Sequence, residues 1–176
     1  MSSRIKEEKK EKGILIRIKA LHDPSKQKNL FVWVLAWTFC GIAIGSQLFV
    51  EGQSELRSMI LVFLAFWLYF EFKVVKAYRW RQKGEERFYI TEEEFHYGRI
   101  IGERGIMRPF KKESINPIRS INEEKSDFVK VFSDSYWVIG GETLAFTADG
   151  KVYPFGLRLT EKEKKRVSQL INKQLT

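Results

Sequence analysis

The order of apolar and polar positions divides the chain into a half built on long apolar runs and a half built on short ones. From Leu30 to Val50 no residue is charged, and Thr38, Ser46 and Gln47 are the polar interruptions. A helix of that length reaches about 30 Å, at about 1.5 Å per residue, and so matches the hydrocarbon core of a bilayer. A second run is strictly apolar from Met59 to Phe70 and continues through Glu71 and Lys73 to Tyr78. The pattern predicts a transmembrane helix over 29–50, a short loop over 51–57 and a second transmembrane helix over 58–78. Lys73 and Lys76 then extend along apolar surface toward the headgroups. The polar leader, residues 1–28, and the length of the first run both exceed what a cleaved signal peptide carries, so this helix reads as an uncleaved anchor.

After Gly84 the apolar runs shorten and turn residues separate them, which predicts a β-rich soluble domain over 84–176. The expected strands are Arg87 to Ile90, Phe95 to Ile101, Ile106 to Lys111, Ile118 to Glu123, Phe128 to Phe132, Thr143 to Thr147 and Lys151 to Phe155. Gly102-Glu103-Arg104-Gly105 predicts a tight turn. Asp149-Gly150 is the strongest hairpin signal, because both residue types tolerate the positive φ of such turns. The chain ends in a helix: Thr160 caps it, Glu163 completes a capping box, and Val167, Leu170, Ile171 and Leu175 form one apolar stripe.

The leader is ambiguous. Residues 1–12 are mostly charged or small and predict no ordered structure. Residues 13–21 are apolar with two basic side chains, and they fit either an interfacial amphipathic helix or a strand packed on the C-terminal domain.

Charge fixes the expected orientation. The formal net charge of +9 is uneven: +5 over residues 1–28 (9 basic, 4 acidic), −1 over 29–57, +4 over 58–83 and +1 over 84–176 (16 basic, 15 acidic). The excess flanks the apolar runs while the β domain is nearly neutral, which argues against nucleic-acid binding. The positive-inside rule places the 51–57 loop outside and both termini in the cytoplasm, in a multi-pass protein of the cytoplasmic membrane. Trp33, Trp37, Tyr78 and Trp80 suit interfacial belts.

Candidate chemistry is sparse. Cys40, the single cysteine, lies in the first apolar run and belongs to no disulfide framework or zinc cluster. His22 and His96 are the only histidines, and no phosphate loop, nucleophile elbow or metal-ligand spacing occurs, so the sequence points to no enzyme, metal or cofactor. The run Glu92-Glu93-Glu94 sits at a turn, where carboxylates stay solvated. Glu71 reads either as a proton or ion site or as a carboxylate solvated or lysine-paired at the inner interface. Gly41 and Gly45 permit close helix approach, to the second helix of the same chain or, in the bolder reading, to a second copy. Arg104, Arg108, Lys111 and Lys112 form the basic cluster of the domain, a candidate contact for anionic lipid or a partner, or else an edge that blocks strand pairing, as Pro109 suggests.

The segment Arg87-Phe-Tyr-Ile-Thr-Glu-Glu-Glu-Phe-His-Tyr-Gly98, followed by a Gly-containing turn and Ile115-Asn-Pro-Ile-Arg-Ser-Ile121, resembles the bacterial PH-like domains that follow paired membrane helices. That family commonly shows a Tyr-x-(Ile/Leu)-Thr opening, a Gly ending the second strand and an Ile-rich fourth strand. The layout is also remotely similar to the photosystem I assembly protein family. The resemblance implies a membrane α-hairpin plus a mainly-β split barrel capped by a C-terminal α-helix. For function it implies a non-catalytic scaffold or assembly factor that binds a protein partner or membrane complex, with anionic-lipid sensing as the alternative.

Overall fold

A computed structural model of the chain describes residues 4–50, 54–121 and 138–175. Two apolar helices in the N-terminal half adjoin a mostly β domain of antiparallel sheets with a C-terminal helix. In chain order these are β1 (Ile5–Lys10), β2 (Gly13–Lys19), α1 (Pro24–Ser46), α2 (Ser54–Lys83), β3 (Gly84–Ile90), β4 (Glu94–Ile101), β5 (Arg108–Lys111), β6 (Arg119–Ser120), β7 (Glu142–Ala148), β8 (Lys151–Leu157) and α3 (Glu161–Leu175). The predicted strand at Phe128 to Phe132, the end of the one from Ile118 and the start of the interhelical loop lie outside the described residues.

The leader departs from its composition. Residues 5–10, expected to be unstructured, form β1, and residues 13–21 supply β2, which resolves that ambiguity in favour of a strand. Period-two alternation explains the outcome: Ile5, Ile16 and Ile18 turn inward while lysines and glutamates occupy the outer face, so the charged residues cost nothing in burial. β1 and β2 pair antiparallel, and β2 pairs with β3, Ile18 opposite Glu86 and Ile14 opposite Ile90. The first sheet therefore runs β1-β2-β3-β4-β5 and the second β6-β7-β8.

The core lies between the two sheets and under α3. Phe88, Phe95, Phe146 and Phe155 are its largest fully buried side chains, joined edge to face (Phe88 and Phe155 at 4.9 Å), and Val167 and Ile171 of α3 complete it. Local signals place the rest. Asp149 (φ 50°) and Gly150 (φ 72°) form the β7–β8 turn, and Thr160 and Glu163 exchange capping bonds at the start of α3.

Helices α1 and α2 are both long and apolar enough to cross a membrane. Their most apolar stretches are only 11% and 6% buried, so neither is the core helix of a soluble domain, and exposed Phe39, Ile42, Met59, Phe66 and Phe72 line their outer surfaces. The helices leave the first sheet from neighbouring strands. Four residues separate β2 from α1, and α2 runs into β3 without a break.

Candidate functional site

The join between hairpin and sheet is packed rather than hinged. Trp80 is 2% exposed, with its ring against Gly84, where any Cβ would meet Trp80 carbon at 2.5 Å. This corrects the expectation that Trp80 is an interfacial anchor; the apolar run ends on a core residue of the join. Around it, Ala20 N donates to Gly84 O (2.9 Å), Gln27 Nε2 to Tyr78 O (3.1 Å) and Arg81 Nη2 to Val138 O (3.1 Å). His22 Nδ1 lies 3.3 Å from Arg81 O, which makes His22 part of this join.

Beside the join, a cleft of about 1110 Å³ opens between the sheet and the sheet-proximal ends of both helices. Trp33 and Trp37 of α1 stack at 5.0 Å to form one wall, and Tyr69, Lys73 and Lys76 of α2 form another. Residues 138–140 and Arg99 roof it. Tyr69, Lys73, Lys76 and Trp80 follow one face of α2 at helical spacing. Lys73 Nζ stands 5.3 Å from the Tyr69 ring centroid.

A buried polar cluster that the sequence reading missed holds the two sheets together. Glu86, 1% exposed, faces Arg99 directly across the β3–β4 ladder. Its Oε1 accepts from Tyr97 Oη (3.1 Å) and Arg99 Nε (3.2 Å), and its Oε2 from the backbone N–H of Gly156 (2.8 Å) and Leu157 (3.3 Å) in β8. Arg99 Nη2 continues to Glu142 Oε1 and Pro154 O, each at 3.1 Å. Burial pushes the Glu86 carboxyl above the ordinary carboxylate range, opposed first by Arg99 and then by the donated hydrogen bonds. The available signal was an acidic residue at an inward position, two before Phe88 and four before Ile90.

The basic cluster does not converge. Arg108 stands on the face of β5 that carries Phe110, Lys111 lies on the opposite face across from Glu94, Arg104 sits in the turn after β4, and Lys112 begins a short 3-10 turn. Pro109 lies on β5 at the edge of the first sheet, as its missing N–H requires. Gly41 and Gly45 face α2 of the same chain: a Cβ on Gly41 would collide with the Trp67 ring, while one on Gly45 would have Leu64 Cδ1 at 3.9 Å.

Glu71 makes no ion pair with a lysine among the described residues. Its Oε1 accepts from Thr38 Oγ1 across the hairpin at 2.7 Å, and its Oε2 is buried without a partner. Thr38 Oγ1 also lies 2.8 Å from Val34 O, so one hydroxyl proton serves two acceptors. His96 Nε2 pairs locally with Glu94 Oε2 at 2.8 Å, and Glu92 and Glu93 are exposed at the turn. Among the described residues no three His, Cys, Asp or Glu side chains gather into a metal-ligand cluster. Comparison of the chain with protein-family models, curated proteins and solved structures finds no match.

Proposed function

We propose that this chain is a non-catalytic integral membrane scaffold or assembly factor, in which a helical hairpin holds a PH-like domain at the cytoplasmic face for a protein partner or membrane complex. One observation carries the reading: the hairpin leaves the domain from adjacent paired strands, β2 and β3, through a buried join. A domain so mounted has one pose relative to its helices, which suits presentation of a fixed surface more than capture by a flexible tether.

The strand pairing supports termini on one side, since β1 and β2 share a sheet with β3, and the lysine and arginine excess beside the helices favours the cytoplasmic side. The PH-like reading draws support from element order: counted from β2, seven described strands in two sheets precede the C-terminal helix. Sheet edges are poor recruitment sites here. β1 exposes Lys6, Lys9 and Lys10, β5 carries Pro109 and β8 carries Pro154, devices that block strand addition. Recruitment therefore falls to side-chain surfaces.

Affinity purification of the tagged full-length protein from native membranes in mild detergent, with mass spectrometry of what accompanies it, tests the proposal. A partner protein in stoichiometric amount is expected. Repeated recovery of the protein alone contradicts it.

A further inference from the structure

We infer that the cleft beside the join binds one anionic phospholipid of the surrounding bilayer, with its phosphate at Lys73 and Lys76 and its acyl chains along the tryptophan wall. The inference rests on the membrane reading of the hairpin but not on the scaffold role.

Two properties of the cleft select this occupant. The first is a gradient of chemistry along a short path. Along α2 the lining passes from Tyr69 and Phe70 to Lys73 and then Lys76 toward the sheet, and Trp33 and Trp37 of α1 stand across from this stretch, so aromatic surface leads to two ammonium groups. A lipid lying in register with its neighbours presents the same sequence from acyl chain through glycerol to phosphate. The second is charge. Lys73, Lys76 and Arg99 face the cleft against one carboxylate, Glu142. Arg99 is committed to Glu86, Glu142 and the Pro154 carbonyl. Neither lysine makes an ion pair among the described residues. The lysines stand one helical turn apart and leave two ammonium groups for a phosphate.

A free phosphate or a soluble anion would gain from the lysines but not from the stacked indoles, and a neutral lipid would gain from the indoles alone. The basic residues on and around β5 do not offer a comparable place, because Arg108 and Lys111 project from opposite faces of that strand.

The test uses the full-length protein in nanodiscs containing equal amounts of phosphatidylglycerol and phosphatidylcholine, with native mass spectrometry of the lipid retained. Incorporation into the discs reports on the membrane reading separately, before any lipid preference is scored. One phosphatidylglycerol is expected to stay bound in preference to phosphatidylcholine. Lys73→Gln with Lys76→Gln should lower that preference by about tenfold or more, given the attraction of each basic residue to anionic lipid. Lys73→Arg with Lys76→Arg should retain it, which separates loss of charge from loss of fold. Lys162→Gln with Lys165→Gln, on the exposed face of α3, should leave it unchanged. Equal retention of the two lipids by the unmodified protein, an unaltered preference in the Lys73/Lys76 glutamine variant, or an equal loss in the α3 variant overturns the inference.

Discussion

At the scale of single residues, the most deeply buried charged side chain among the described residues is Glu86, a carboxylate beside a core of aromatic rings. Its burial is tolerated because four donors converge on it and Arg99 lies opposite. Removing the cation leaves the carboxyl buried with three neutral donors and no opposite charge. Arg99→Met should destabilise the protein by about 3 kcal/mol at neutral pH, the low end for a broken buried pair because the Arg99 side chain is 34% exposed. The pH dependence has a definite sign. Burial already holds the Glu86 carboxyl above its unfolded value, and loss of Arg99 raises it further. The stability linked to this group is fully present below the ordinary carboxylate range and is lost as pH rises through the raised folded value. Thermal unfolding should therefore show the Arg99→Met deficit shrinking as the pH is lowered from 8 toward 5; a deficit that grows on acidification contradicts the assignment. An inward-facing Glu was visible in the sequence as a break in the Phe88 and Ile90 alternation. Its partners were not, since Gly156 and Leu157 reach it from 70 residues away.

Elements were legible where the signal was local. The β7–β8 turn follows from Asp149-Gly150, and the start of α3 follows from Thr160 and Glu163. The charged start of the leader was misread for a physical reason: composition averages over both faces of a strand, whereas folding responds to one. Ile5, Ile16 and Ile18 are enough to dock β1 and β2, and Arg4 secures the strand by donating to Leu157 O and Arg158 O at 3.1 and 3.2 Å. Of the two readings of Glu71, the solvated or lysine-paired one does not hold, because its partner, Thr38, belongs to the other helix. Within the hairpin, the two glycines are not equivalent. Gly41→Ala drives a methyl into the Trp67 ring and should cost about 1–3 kcal/mol in unfolding of the full-length protein from detergent micelles. Gly45→Ala, whose Cβ would meet Leu64 at ordinary van der Waals distance, should be near neutral. Equal effects of the two substitutions would mean that the glycines pack against something other than α2.

For the molecule as a whole, the decisive feature is that the hairpin interrupts the connection between two neighbouring strands. Sequence periodicity predicted both the helices and the strands, but it could not choose between an interfacial helix and a docked strand for residues 13–21, because pairing between β2 and β3 spans about 70 positions of chain. Both helices are rooted in one sheet, and a mount of this kind predicts that the domain and the hairpin move as a unit. Double electron–electron resonance on the full-length protein in bilayers measures this directly, with spin labels at Ser58→Cys on α2 and Lys151→Cys beside the β7–β8 turn in a Cys40→Ser background. The rigid mount predicts one narrow distance distribution, broadened when a Gly-Ser segment is inserted between Lys83 and Gly84. A broad or multiple distribution in the protein without the insertion would show a tethered domain and contradict the account.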